Sequence, residues 1–222
     1  MNKIDSISPA GVNLDIYEGP IGVSCSGGAD SSILLYHLMR EVEQKIYICT
    51  TGNNQRNRYN VTAATRVVEK LIQLTGNSNI EHHISYCEVQ KSEELFPKLS
   101  SYFEKNMLNI FYTGITSNPP KEVTDKFKLK ITEHDRSEKK KDLLIQIPDV
   151  GPAYTPWANV DKRKIAEMYK EANLLEELFP LTRSCEYDPT SSFFDDIEDP
   201  GMGHCGSCWW CEERQWAFGR LE

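Results

Sequence analysis

Two groups of residues in this chain have the types and the spacing for chemistry. The first is Ser24-Cys25-Ser26-Gly27-Gly28-Ala29-Asp30-Ser31-Ser32. It follows the apolar Ile21-Gly22-Val23 and runs straight into Ile33, Leu34, Leu35, Leu38 and Met39 at helical spacing. That order predicts a strand, a tight glycine turn and a helix. Such a turn aims backbone N–H groups at one point, beside the positive end of a helix dipole, and makes a site for phosphate. Gly27 and Gly28 let the backbone approach an anion with no Cβ in the way. Ser26 and Ser31 can add hydroxyl donors. The plainer reading of Asp30 and Ser31 is that one of them caps the helix. The motif is not a Walker A loop, which needs Gly-Lys-Ser/Thr after its glycines, nor is it Gly-x-Gly-x-x-Gly.

The second group is Cys185 with the run Cys205-Gly206-Ser207-Cys208-Trp209-Trp210-Cys211. Four thiolates on short turning loops suit a closed, tetrahedral, structural zinc. Disulfides and an iron–sulfur cluster are rival readings; no cysteine follows Cys211, as a ferredoxin run requires. His204 is either a substitute ligand or only a neighbour. Arg214 follows Cys211 closely and can donate to thiolates, meet a substrate anion or sit on the surface. Cys25, Cys49 and Cys87 are scattered and read as small buried hydrophobes.

These residues need elements to position them. Apolar runs at 21–24, 45–50, 80–86, 108–113 and 143–147 read as strands, alternating with helical patterns. Val61, Ala64, Val67, Val68, Leu71 and Ile72 mark one helix, Leu95, Leu99 and Phe103 another, and residues 161–173 a third. The expected fold is α/β, an open parallel sheet with helices on both faces over residues 1–180. A small metal-bound lobe over 181–222 ends in a helix at 209–221. In such sheets ligands sit beyond the carboxyl ends of the strands, near the switch in strand order. Residues 50–53 and 113–116 would then join the glycine turn in one crevice, with Thr113 and Gly114 on its wall; otherwise those two only end a strand.

The bulk numbers narrow the partners. A chain of 222 residues buries one good core with room for a small appendage. The formal charge of -8 argues against sequence-blind binding of duplex nucleic acid, so no direct nucleic-acid partner is expected. No apolar run reaches the roughly 18 residues of a membrane span. Met1-Asn2-Lys3-Ile4-Asp5 lacks an apolar signal core, so the cytoplasm is the expected compartment. The charged stretch 121–142, with Lys139-Lys140-Lys141, reads as a solvated face or a lid.

Ser26-Gly27-Gly28-Ala29-Asp30-Ser31 resembles the PP-loop of ATP pyrophosphatases, which hold the pyrophosphate of ATP. Joined to the late cysteine set, it resembles the 7-cyano-7-deazaguanine synthase family. The likeness extends to Leu181-Thr182-Arg183-Ser184-Cys185-Glu186-Tyr187, to His204-Cys205-Gly206-Ser207-Cys208, to Cys211-Glu212-Glu213-Arg214, and to Thr155-Pro156 with Asp161-Lys162-Arg163-Lys164-Ile165. Two features depart from the family. Residues 186–204 form a long acidic spacer, and Thr113-Gly114-Ile115-Thr116-Ser117-Asn118-Pro119-Pro120 stands where an aspartate- and tyrosine-containing substrate loop is usual.

The resemblance implies ATP-dependent conversion of 7-carboxy-7-deazaguanine and ammonia to the nitrile through adenylated intermediates, in a homodimer. ATP and Mg²⁺ would be held by Ser24, Ser26, Gly27, Gly28, Asp30 and Ser31, with Thr113 and Gly114 alongside. Zn²⁺ would sit on Cys185, Cys205, Cys208 and Cys211. Asp30, Lys162 and Arg214 would be the catalytic groups. Two other readings stay open. One is a tRNA sulfur-transferase with an iron–sulfur cluster. The other is a repurposed fold that binds or attaches a deazapurine with a protein partner, which the acidic spacer invites. The sulfonucleotide reductases share the sheet but use a single late cysteine.

Overall fold

A computed structural model of the chain describes residues 2–53, 59–87, 91–126, 136, 142–185 and 203–222. Strands β1 (Lys3–Ile7) and β2 (Leu14–Tyr17) pair antiparallel as a separate hairpin. Then follow β3 (Ile21–Ser24), α1 (Ala29–Glu41), β4 (Ile46–Asn53), α2 (Asn60–Thr75), β5 (Ile80–Cys87) and α3 (Lys91–Glu104). The rest is β6 (Ile110–Tyr112), the short α4 (Lys121–Lys126), β7 (Leu144–Ile147), β8 (Gly151–Tyr154), α5 (Lys162–Glu171) and α6 (Trp209–Phe218).

The second sheet has six strands in the order β5-β4-β3-β6-β8-β7. β3 lies inside it because its run is apolar on both faces, as a covered parallel strand must be. Successive residues point to opposite faces. Ile21, Val23, Ile46, Ile48, Ile110 and Tyr112 therefore join the core under α1, α2 and α5. Cys49, Phe111 and partly buried Tyr47 turn the other way, onto Leu99 and Tyr102 of α3. Ile21, Val23, Ile46, Ile48 and Ile110 are wholly buried. Each such side chain stabilises the fold by about 1.5–3 kcal/mol, so the strands that carry the loops are firmly held.

The expected α/β architecture with helices on both faces is what forms. One strand runs against the parallel rule: β7 pairs antiparallel with β8. The link between them is only Pro148-Asp149-Val150, far shorter than the crossover that parallel neighbours need. Its Asp149 adopts a left-handed φ of 58° to make the reversal. The hairpin of β1 and β2, and β8 itself, escape a reading by apolar runs. β1 is polar and mostly exposed, and β8 reads Gly-Pro-Ala-Tyr.

Helix α2 buries Val61, Ala64, Val67, Val68 and Leu71, the stripe its spacing predicts. It ends at Gly76, whose φ of 70° is the left-handed value that favours glycine. No helix among the described residues is long and apolar enough to cross a membrane. Lys139-Lys140-Lys141 and residues 186–202 of the acidic spacer lie outside the described residues.

Candidate active site

The glycine turn does form between β3 and α1, and its own hydroxyls brace it. The Ser26 N–H donates to Ser31 Oγ at 3.2 Å, and the Gly28 N–H donates to Ser26 Oγ at 3.3 Å. Ser31 Oγ and Ser32 Oγ both donate to the Gly28 carbonyl, at 3.1 and 2.8 Å. Gly28 occupies the N-cap position, so neither Asp30 nor Ser31 caps α1, and no side chain among the described residues caps it. The opening amides of the helix are thus left for another acceptor. Gly27 has a φ of 77°, and a Cβ there would sit 2.7 Å from the Ala64 N of α2. Only glycine meets both demands.

A cavity of about 480 Å³ opens onto this turn. Ser24, Ser26, Gly28, Asp30 and Ser31 line it, together with Thr113 and Gly114 beyond β6 and Thr155 beyond β8. Its neighbours β4 and β6 flank β3 on opposite sides, so the cavity sits at the switch in strand order. Thr113 Oγ1 and Thr155 Oγ1 share a hydrogen bond of 2.8 Å. Gly114 packs on α1 so closely that a Cβ would lie 2.9 Å from the Ser31 backbone. Thr50 and Thr51 are not on the cavity wall. Thr50 Oγ1 instead donates to the Cys25 carbonyl at 2.7 Å, and Thr51 Oγ1 pairs with Ser85 Oγ. Their hydroxyls are spent on the sheet.

Four charged side chains meet beside the turn. Asp161 caps α5 by accepting from the Arg163 N–H at 2.9 Å, which places Lys162 at the first helical position, 3% exposed. Tyr169 of α5 donates to the Ala29 carbonyl at 3.1 Å and ties the two helices together. Lys162 Nζ then lies 3.3 Å from Asp30 Oδ2 and 3.0 Å from Glu213 Oε2. Glu213 also pairs with Arg136, whose Nη1 donates to Thr116 Oγ1 at 2.8 Å. The Trp210 ring packs beneath both cations, 5.4 Å from the Arg136 guanidinium and 5.8 Å from Lys162 Nζ.

Burial pushes the Asp30 carboxyl above its ordinary value and Glu213 adds to that, against the pull of Lys162 and Arg136. Burial alone would lower Lys162, but the carboxylates of Asp30 and Glu213 together outweigh it and hold the ammonium charged. Asp30 Oδ1 is buried and has no hydrogen-bond partner among the described residues.

Arg214 stands elsewhere. It is fully buried and off the cavity wall. Its guanidinium donates to the carbonyls of Leu221 and Phe179 at 2.6 and 3.0 Å and to Thr182 Oγ1 at 2.8 Å. It also stacks over the Phe179 ring at 3.7 Å. With a fourth N–H donated to Ser184 Oγ at 3.4 Å, four of the five donors of the fork are committed, and they hold α6 to the body of the protein and away from the cavity. Sequence reasoning missed Glu213 and Arg136. Glu213 was legible only as a neighbour of Cys211, and Arg136 lay hidden in the charged stretch.

The four late cysteines do converge, with sulfur atoms all within 4.8 Å of one another. Cys208 is the N-cap of α6 and Cys211 lies in its first turn. Cys205 Sγ is 4.0 Å from Cys211 Sγ. A single zinc with sulfur bonds of about 2.3 Å sets its ligands about 3.8 Å apart, so an all-sulfur donor set at this spacing fits one tetrahedral ion. The Cys205 N–H and the Ser207 hydroxyl point at sulfur atoms of the set, at 3.5 and 3.7 Å. His204 is outside it; its Nε2 accepts from the Ser184 N–H at 3.4 Å.

No protein-family model matches the chain, and no curated protein does. Among solved structures it is similar to the U34-tRNA thiolase NcsA of Methanococcus maripaludis, solved with its 4Fe-4S cluster, at a TM-score of 0.44 and 12% identity. That likeness covers 71% of this chain and 57% of the thiolase. The NH3-dependent NAD synthetase of Campylobacter jejuni, solved with nitrate, gives 0.40 and 17% over 72% of this chain and 66% of that one. The NMN synthetase of Francisella tularensis gives 0.41 and 15% over 91% and 84%. The chain thus spans less than two thirds of the first two.

Proposed function

We propose that the chain is an ATP-dependent enzyme that activates a carboxylate by adenylyl transfer. The observation that carries this reading is the uncapped start of α1, open to a cavity that Asp30 and Lys162 also line. Backbone amides there would receive the pyrophosphate of ATP. Lys162 is a buried point charge for a phosphate oxygen. The unpartnered Asp30 Oδ1 suits a Mg²⁺ ion, which when bound would shield the phosphates.

The acceptor proposed is 7-carboxy-7-deazaguanine. Phe111, Ala153 and Ile145 stand in one row across β6, β8 and β7, on the face that lines the cavity. That row gives the cavity an apolar wall that would suit a planar ring, with the Thr113 and Thr155 hydroxyls one pleat further on. A carboxylate oxygen attacks the α-phosphorus of ATP and expels pyrophosphate. Ammonia displaces AMP from the acyl carbon, loses a proton and leaves the amide. A second adenylylation, on the amide oxygen, lets AMP depart with that oxygen as the nitrogen loses its remaining protons to give the nitrile. The chain's contribution is positioning and charge stabilisation.

The test is incubation with ATP, Mg²⁺, ammonium and 7-carboxy-7-deazaguanine, followed by mass spectrometry. AMP, pyrophosphate and the nitrile are expected; ATP left intact overturns the reading. Zinc on Cys185, Cys205, Cys208 and Cys211 is proposed as structural, with no open position for water. Cys208→Ser is expected to lose metal and thermal stability together, because binding free energy at such a site is folding free energy. Elemental analysis and a melting curve check this, and an unchanged melt with metal retained counts against it.

A further inference from the structure

The thiolate set and the phosphate turn are joined by two paths of direct contact. On the first, Cys208 and Cys211 fix the opening turn of α6, and the same helix carries Glu213. Glu213 is fully buried, and its carboxylate holds Lys162 and Arg136, both on the cavity wall. Lys162 passes the contact on to Asp30, next to the turn. On the second path, Cys185 ends the segment 182–185, whose Arg183 N–H donates to the Gly27 carbonyl at 2.8 Å. Ser184 of that segment lines the cavity. A metal that orders the four sulfurs therefore orders the groups that hold the turn and its cations.

We propose that Glu213 is a positioning residue that couples the thiolate centre to the phosphate site, so that metal retention and pyrophosphate binding reinforce each other. The inference rests on the reading of the turn as a pyrophosphate site. Two charges tethered to one buried carboxylate cannot shift without α6, and α6 cannot shift while its first turn is tied to metal. Linkage makes the effect reciprocal: whatever metal does for pyrophosphate, pyrophosphate does for metal.

The experiment uses the zinc-loaded full chain and inorganic pyrophosphate as the probe. Metal release to an excess of a coloured chelator is timed with and without saturating pyrophosphate, and calorimetry measures pyrophosphate binding separately. Pyrophosphate is expected to slow release from the wild type by about fivefold or more, the lower end of ordinary coupling. In Glu213→Gln, of matching shape, the melting temperature is expected to fall, because Lys162 and Arg136 lose a buried carboxylate, while metal is retained at rest and the ratio of the two release rates falls well below the wild-type value, what is left being carried by the Arg183–Gly27 path. The ratio is the deciding quantity, because removing a negative charge shifts anion affinity by itself.

Equal protection in Glu213→Gln overturns the role given to Glu213. Bound pyrophosphate that fails to slow release from the wild type overturns the coupling. A wild type that binds no pyrophosphate instead overturns the nucleotide reading on which the coupling depends. If Glu213→Gln loses metal at rest, Glu213→Asp keeps the charge on a shorter arm. Full protection in that variant, with α6 intact, would count against a carboxylate placed by α6.

Discussion

Asp30→Asn is expected to lower pyrophosphate release by roughly 10²–10³-fold, the size of loss seen when one preorganised electrostatic group is removed from a reacting centre. The substitution keeps shape and volume at the start of α1. It removes the negative charge that a magnesium ion requires and the partner that stands 3.3 Å from Lys162 Nζ. Stability is expected to move the other way. Burial raises the Asp30 pKa above its unfolded value. A carboxyl shifted in that direction binds its proton more tightly when folded, so its contribution is favourable at low pH and fades as pH rises through the folded pKa. Where the carboxyl is ionised it therefore weighs against the fold, and a neutral amide relieves it. A pyrophosphate assay and a urea midpoint, measured together, should show activity lost and stability held or raised. A variant that retains more than about a tenth of the activity overturns the assignment.

Lys162→Met is expected to cost about 3–5 kcal/mol, as breaking one side of a buried ion pair does. The reason is the company that remains. Glu213 is 0% exposed and would keep only Arg136, while Asp30 would lose its cation. Methionine fills the volume but satisfies neither carboxylate. The double variant with Glu213→Gln should recover part of the loss, because both charges then leave together. Urea unfolding of the two singles and the double measures the coupling. A single-variant loss below about 1 kcal/mol would mean the network carries no strong interaction, as at exposed pairs.

The local readings that held are those governed by nearest neighbours. Ser26, Gly27 and Gly28 make their turn between β3 and α1, where the positive φ of Gly27 is a demand of the local backbone. The stripe Val61, Ala64, Val67, Val68 and Leu71 buries itself for the same kind of reason. The convergence of Cys205, Cys208 and Cys211 was legible in their spacing. Arg214 shows the opposite case. Its place in the motif pointed to a substrate, yet its donors go to Thr182 and to the carbonyls of Phe179 and Leu221. Which anion or carbonyl an arginine finds is decided by segments far away in the chain.

The run of residue types thus determined that a glycine turn would open a helix and that Cys205, Cys208 and Cys211 would gather. Both depend on backbone geometry within a few bonds. Only the packed molecule decided that α6 would lay Glu213 against Lys162, that Arg136 would cross to meet them, and that Arg183 would grip the Gly27 carbonyl. Those contacts join residues remote in sequence. They form because a buried charge needs a partner and a buried backbone group needs a hydrogen bond, and no local pattern encodes which distant residue supplies it.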